Sequence, residues 1–370
     1  MKAILSGALS FIMMVASFLG LYAPKADLEK DKWNTNYTYV FVHGLMGWGE
    51  YDLVYKLMPY WGMFGGDLMK YLRKQGFDVH AASVAPSDSA WDRACELYAQ
   101  LTGTVVDYGK AHSEKYGHDR FGEDFRGRAL IKNWNSENKI NLLGHSFGGA
   151  TIRTLAYLMA EGDAEEMAVT SRSDTSPLFT GGKADWIYSL TALAAPHNGT
   201  SSYNTGEVEL DDNGEEKMAE PDTAAYDMYI DNALRLNKKL KISKKTYYFS
   251  IPCSMTDKNE NGVWVPDESR MESLFVDSSK EIGSYTGYTK GGFYIDESWQ
   301  ENDGLVNTNS AKAPMYNASK DFDENNITKG VWNIMPVYRG DHMSLQGGMT
   351  KYNDVRLLYA EHLQMINKLK

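Results

Sequence analysis

The sequence predicts an α/β fold, a mostly parallel central sheet with helices on both faces. Three observations carry that expectation. Short apolar runs rich in β-branched and aromatic residues alternate along the chain with stretches of helical periodicity, the pattern of strand–helix–strand units. No internal repeat or low-complexity tract interrupts the alternation. The 370 residues are 43% hydrophobic and 24% charged, which suits one large globular domain or two ordinary ones and argues against global disorder.

The predicted strands follow in order. They are Tyr39–His43, Val79–Val84, Ile140–Leu143, Ile187–Ala192, Thr246–Ile251 and Trp332–Val337, each a run of β-formers bounded by turn residues. The final stretch, Asp354–Leu369, places Val355, Leu358, Leu363 and Ile366 on one helical face and reads as a surface helix closing the domain. Two segments break the rhythm. Residues 85–135 hold two helical stretches and a Gly-rich, charged loop where a plain βα unit is shorter. Residues 203–221 (YNTGEVELDDNGEEKMAEP) are acidic, polar and Gly-bearing, so an exposed, mobile loop is expected there. The domain reading is therefore a single unit over 27–370, with insertions at about 85–135 and 201–235.

Residues 1–23 begin with Lys2 and continue as an apolar run without another charge, the pattern of a secretory signal, taken here as residues 1–26. The cleavage site is poorly marked by Pro24 and Lys25, and the run nears the roughly 20 residues that span a bilayer, so a retained N-terminal anchor is the alternative. The formal charge of −11 argues against nucleic acid, whose affinity comes mainly from Lys and Arg on phosphates. The two cysteines, Cys95 and Cys253, allow one disulfide at most and exclude a Cys-rich zinc site; Cys95, in the helical RACELYAQL, reads as a buried thiol.

The strand KINLLG runs directly into Gly144-His145-Ser146-Phe147-Gly148, a G-x-S-x-G pentapeptide, and the helical ATIRTLAYLMAEG follows. A serine at the tip of a sharp strand-to-helix turn needs strained backbone, and flanking glycines let helix and strand approach without a side-chain clash. That context points to Ser146 as a nucleophile. Upstream, the strand TYVFVH ends in another Gly-rich turn, His43-Gly44-Leu45-Met46-Gly47. An oxyanion hole in such a turn combines the N–H after the nucleophile with one from an early strand–helix loop, making Phe147 and Leu45 the candidate donors.

The order of such a triad is Ser, then an acid, then His. Only His197, His342 and His362 follow Ser146. His362 lies inside the closing helix and is expected to face solvent or the flank of the sheet. His197 precedes any plausible acid. That leaves His342, in the loop YRGDHMSLQGG between the last strand and the last helix. For the acid, SWQENDGLVNTNS offers Asp303 on a polar turn, with Asp296, Glu297 and Glu301 as competitors; Asp341 is too near His342 in sequence to orient it easily.

The residues now carry a family signature. HGLMGWGE (43–50), YWG (60–62), SAWDRACELYAQLTGTVVDYG (89–109), AH and GH (111–112, 117–118), GHSFGG, SPLFTGG (176–182), APHNGT (195–200), ENDGLVNT (301–308) and DH (341–342) occur in order through most of the chain. Together they resemble the bacterial lipases of the staphylococcal and thermophilic Bacillus/Geobacillus group. The resemblance implies an α/β-hydrolase fold, hydrolysis of carboxylic esters including triacylglycerols, and a triad of Ser146, Asp303 and His342. It also implies a zinc ion outside the triad, with Asp92, His112, His118 and Asp222 at the matching positions. Without it, Asp92 reads as a helix-start aspartate and the histidines as surface residues. Imidazole nitrogen and carboxylate oxygen suit Zn²⁺, and four protein ligands leave no open position, so the metal is expected to be structural and to clip the 85–135 insertion to the segment after the acidic loop.

Two departures from the family matter. Only 21 residues (201–221) separate Thr200 from Asp222, and they are acidic, so a full lid helix hardly fits. An open site with weak interfacial activation is expected, acting on short or bulky esters at least as well as on long-chain fats. At the place where thermophilic relatives bind calcium, this chain has Ser344 and Met349-Thr350, which lack charged oxygens, so no calcium is expected there. The expected partners are ester substrates, also at lipid or polymer surfaces, and no feature asks for an obligate protein partner. The alternatives are a non-catalytic α/β-hydrolase-like binding protein and a zinc-dependent hydrolase.

Overall fold

The computed structural model describes Val15, residues 22–205 and residues 218–370. Most of the expected signal segment and residues 206–217 of the acidic loop lie outside the described residues. Among those described, no helix is long and apolar enough to cross a membrane.

Seven strands form one sheet: β1 (Thr38–Val42), β2 (Val79–Ala82), β3 (Ile140–His145), β4 (Ile187–Leu193), β5 (Tyr247–Ile251), β6 (Ser319–Asp321) and β7 (Trp332–Ile334). Their spatial order is β6-β7-β5-β4-β3-β1-β2, and every pairing is parallel. The side chains of β1 show why both faces must be covered. Tyr39 and Phe41 pack into one core with Trp61, Leu68 and Tyr359, while Val40 and Val42 pack into another with Leu97, Ile152 and Leu155. Helices α1 (Leu68–Lys74) and α5 (Arg356–Asn367) close the first face; α2 (Ala90–Thr102) and α4 (Gly148–Glu161) close the second, with α3 (Lys110–Tyr116) in the insertion between them. This is the α/β-hydrolase architecture.

All six expected strands are present, and their shorter ends have local causes. β2 stops at Ala82 because the next two backbone N–H groups turn to side chains, Ser83 to Gln100 and Val84 to His43. β7 stops at Ile334, two residues before Pro336, which has no N–H to give a ladder. The edge strand β6 went unforeseen: its three residues, SKD, carry no apolar pattern. The same holds for the hairpin of Val105–Asp107 and Phe121–Asp124 that follows α2, whose second strand is exposed throughout. Cys95 and Cys253 are buried free thiols. His362 is buried on the sheet's flank, where its Nε2 meets Thr191 Oγ1 at 2.9 Å.

Candidate active site

The carboxyl ends of β1 and β3 deliver the two Gly-rich turns side by side. Ser146 sits at the tip of the second with φ +55°, a left-handed conformation that costs a non-glycine residue on the order of 1 kcal/mol and persists only where packing enforces it. The enforcement is visible in its neighbours. A Cβ on Gly144 would lie 2.4 Å from Gly148 O, and one on Gly148 would lie 2.4 Å from Val42 O. Helix α4 therefore reaches the sheet only with glycine at both positions, and the Ser146 hydroxyl is left pointing outward.

What it points at is His342. Ser146 Oγ lies 2.8 Å from His342 Nε2, and His342 Nδ1 lies 2.9 Å from Asp303 Oδ2. The loops are tied to each other as well, since His342 N–H donates to Asp303 O at 2.8 Å. Asp303 is held in turn by Leu305 N–H (3.1 Å) and Val306 N–H (2.8 Å), both on Oδ1. An ionised carboxylate only accepts, so Nδ1 carries the proton and the lone pair on Nε2 faces the serine. Ser146, Asp303 and His342 are 7%, 1% and 4% exposed, which keeps water from competing for these bonds. Two of the other acids are engaged elsewhere. Asp296 caps the turn at Ser298, and Asp341 takes Glu272 N–H, Met343 N–H and the Ser344 hydroxyl. His197 is buried against Trp332, away from Ser146.

Phe147 is the N-cap of α4, at the positive end of a 14-residue helix, and Leu45 follows Gly44 on the wall of the cavity beside Ser146. Their neighbours' N–H groups are spoken for: Met46 N donates to Pro86 O and Gly47 N to Gly44 O. Among the described residues neither Leu45 N–H nor Phe147 N–H has a protein acceptor. The cavity measures about 380 Å³ and is mostly apolar; six methionines, Met46, Met58, Met63, Met228, Met343 and Met349, share its wall with Ser146 and His342.

A hydrogen-bonded chain that the sequence did not announce links the two halves of this site. His145 Nε2 lies 2.8 Å from His342 O, its Nδ1 lies 2.7 Å from Tyr60 Oη, and Gly44 N–H donates to that same oxygen at 3.1 Å. A carbonyl only accepts, so Nε2 is the donor. Burial, with the nearby His342 ring, pushes the His145 pKa down to about 3, so Nδ1 is bare and Tyr60 donates to it. Every direction in the chain is thereby determined.

Comparison with known proteins gives the family. Residues 35–211 match the family model described as lipase-like, C-terminal domain. The lipase of Staphylococcus hyicus is 31% identical over 92% of this chain. Among solved structures, EstA from Clostridium botulinum is 31% identical with a TM-score of 0.82, covering 94% of this chain and 91% of its own. Lipase 1 of Pelosinus fermentans is 32% identical with a TM-score of 0.74, covering 90% and 99%. The chain belongs to the bacterial lipase family of the staphylococcal type. It spans about half the length of the curated staphylococcal relatives it matches, 58% of the Staphylococcus hyicus lipase and 50% of lipase 2 of Staphylococcus aureus.

This lipase-family chain also brings together the four residues singled out for a metal. Asp92 comes from α2, His112 from α3, His118 from the turn after it, and Asp222 from the segment beyond the acidic loop, with φ +65°. His112 Nε2 lies 3.0 Å from Asp92 Oδ1 and 3.1 Å from Asp222 Oδ1, and His118 Nε2 lies 3.4 Å from Asp222 Oδ2. Yet Asp92 Oδ1, His112 Nε2 and His118 Nε2 are buried atoms without a properly formed hydrogen bond. Atoms this close that do not bond each other converge on a common centre. A tetrahedral shell with bonds of about 2.0–2.1 Å sets its ligand atoms roughly 3.3 Å apart, close to the separations found. Supporting contacts fix the histidines: His118 Nδ1 meets Asp119 O at 2.9 Å, His112 stacks on Trp91 at 5.0 Å, and Glu166 accepts from Ala111 N–H and His112 N–H. The group can hold a metal ion.

At the loop after His342, Glu272 is buried and its carboxylate takes Met349 N–H (2.7 Å), Lys351 N–H (2.8 Å) and the Thr350 hydroxyl. Sequence reasoning missed Glu272, Tyr60 and His145. Their signals were weak: one glutamate among many, a tyrosine in YWG, and the variable position of the pentapeptide.

Proposed function

We propose that this chain is a secreted serine carboxylester hydrolase of the lipase type. His342 takes the Ser146 proton as Oγ attacks the ester carbonyl, Asp303 holds the imidazole tautomer, and the Leu45 and Phe147 N–H groups receive the oxygen as it becomes negative. The imidazolium then protonates the departing alcohol, and water repeats the cycle on the acyl-enzyme. The observation that carries the reading is the continuous bond series from Asp303 through His342 to Ser146 beside two N–H groups with no protein acceptor among the described residues.

The substrate reading follows from the wall of the cavity. Methionine is unbranched, polarizable and adaptable, so six of them favour acyl groups of varied shape. Short or bulky esters and acylglycerols are the proposed substrates. With 21 residues between Thr200 and Asp222, the site lacks room for a full lid helix and should show weak interfacial activation. Secretion is proposed from the N-terminal pattern. The metal is proposed to be Zn²⁺, which on four protein ligands supplies structure by joining α2, α3 and the segment at Asp222. No calcium is proposed beyond His342, where backbone N–H groups and a hydroxyl already occupy the Glu272 carboxylate.

The test is Ser146→Ala. Hydrolysis of p-nitrophenyl butyrate should vanish while circular dichroism and metal content stay unchanged; substantial retained turnover removes Ser146 from the mechanism. Comparing turnover below and above the critical concentration of a micellar ester tests the open site, and a sharp jump at the interface counts against it.

A further inference from the structure

Beneath the two Gly-rich turns lies Arg93, fully buried on α2. Among the described residues no carboxylate lies within ion-pair distance of it. Glu96 and Asp88 act on it only from beyond that distance, and a guanidinium without a close counter-ion in a low-dielectric interior is costly unless its surroundings put it to use. A guanidinium is not deprotonated in proteins, so Arg93 carries its charge.

Among the described residues its side-chain hydrogen bonds and ring contact are with the two turns, and its Nε–H has no acceptor. One terminal N–H group donates to His43 O, the other to Gly44 O at 3.3 Å, and the guanidinium lies over the Phe147 ring, 5.2 Å from its centroid. Gly44 O has two further donors, Gly47 N–H at 3.2 Å and the His43 ring. Val84 N–H donates to His43 Nε2 at 3.3 Å, and burial, aided by the Arg93 charge, pushes the His43 pKa down to about 3. The ring is therefore neutral and protonated on Nδ1, which donates to Gly44 O at 2.8 Å.

Gly44 C=O and Leu45 N–H are the two ends of one planar, trans peptide. Donors on the carbonyl pull density out of that unit and strengthen the N–H at its other end. They also set its direction, because an N–H in a trans peptide points opposite to the carbonyl. We propose that Arg93, with His43 beside it, is a positioning residue of the oxyanion hole: it orients and polarises the Gly44–Leu45 peptide and places a buried positive charge behind both donors. This rests on the preceding reading, in which Leu45 and Phe147 receive the oxyanion. Ground-state ester oxygen carries little charge, so the benefit falls on the transition state.

The experiment uses the full metal-loaded chain with Arg93→Met, which removes charge and donors, and Arg93→Lys, which keeps the charge. Three quantities are read: kcat and KM for p-nitrophenyl butyrate, affinity for an alkylboronic acid that forms an anionic tetrahedral adduct on a serine, and melting temperature. Loss of one direct oxyanion donor costs about 10²–10³, so this indirect role should cost about 10- to 100-fold in kcat with KM within about twofold. Boronate affinity should fall by the same factor, and the lysine variant should recover at least about threefold over the methionine one. Boronate affinity unchanged while kcat falls, or Arg93→Lys no better than Arg93→Met, overturns the proposal. Should Arg93→Met fail to fold, Arg93→Lys decides alone: kcat and boronate affinity reduced together support it, and wild-type values in both overturn it. A wild-type chain that turns over ester and loses this in Ser146→Ala keeps the parent reading standing whatever Arg93 does.

Discussion

Asp303→Asn exchanges one oxygen for an NH₂ group and should disable the site through a tautomer rather than through lost charge alone. Oδ1 of Asp303 accepts from two backbone N–H groups, Leu305 and Val306, while Oδ2 faces His342 Nδ1. An asparagine must keep its carbonyl oxygen toward the two N–H groups, since turning its NH₂ there would set three donors against each other in a buried place, at about 1–3 kcal/mol for each donor left unpaired. The NH₂ then faces His342. To accept from it, Nδ1 gives up its proton, Nε2 becomes protonated, and it can no longer take the proton of Ser146. Wrong-tautomer substitutions in other triads cost about 10⁴ in kcat, and at about 1.36 kcal/mol per tenfold that is about 5.4 kcal/mol of lost transition-state stabilisation. The fold should tolerate the change, because shape and both backbone bonds survive. Steady-state turnover of p-nitrophenyl butyrate, with active-site titration by a fluorophosphonate, measures it. Asp296→Asn is the internal control, since its Oδ1 alone accepts from Ser298 and an asparagine keeps both bonds. An Asp303→Asn enzyme that keeps more than about a tenth of wild-type kcat, or an equal loss in Asp296→Asn, would refute the assigned tautomer.

Chelation of the metal should lower the melting temperature by at least about 5 °C and shift Trp91 emission through its stack on His112; immediate loss of activity in the cold, before any unfolding, would instead make the metal catalytic. Tyr60→Phe leaves Gly44 N–H and His145 Nδ1 unpaired in a buried place, so stability should drop by about 2–4 kcal/mol in urea unfolding and kcat should fall with little change in KM; unchanged values in both measurements would show that the chain through His145 carries nothing. Gly148→Ala sets a Cβ 2.4 Å from Val42 O and 2.7 Å from His43 O, backbone atoms that cannot swing aside, so a loss of more than about 4 kcal/mol or failure to fold is expected. A wild-type melting curve for that variant would deny the close approach of α4 to the sheet.

What could be read from the sequence is what hydrophobic pattern and chain order encode. β1, β3, β4 and β5 are buried along their whole length, so each announces itself as an apolar run. Ser146 and His342 stood in strand-to-helix and strand-to-loop contexts that few alternatives fit, whereas Asp303 needed the family resemblance to separate it from Asp296, Glu297 and Glu301. β6 and the exposed strand Phe121–Asp124 were invisible because their pairing is made by backbone, which leaves no side-chain signature. The buried polar groups were illegible for a related reason. Arg93 shares the buried face of α2 with Ala94 and Leu97, where a charged residue at an apolar position was the one available hint.

Two places in this molecule pair a non-glycine residue of positive φ with unmet bonding, although positive φ also occurs at Met46, Met63, Asn133, Ala194 and Tyr316. Ser146 and Asp222 both hold positive φ without being glycine. At the first, two backbone N–H groups lack a protein acceptor among the described residues; at the second, three buried ligand atoms crowd together without bonding, His112 Nε2 at 3.0 Å from Asp92 Oδ1. Each such feature costs on the order of 1 kcal/mol or more. On the proposed reading a group absent from the chain completes each set, a transient oxyanion in one case and a cation in the other. The signs differ accordingly. The N–H pair, backed by the Arg93 charge, is suited to an anion, while two carboxylates and two imidazole lone pairs are suited to a metal, so neither site can do the work of the other. The four metal-site residues come from α2, α3, the turn after it and the Asp222 segment, and none of them lines the cavity that holds Ser146 and His342, so a metal held there does not reach the serine.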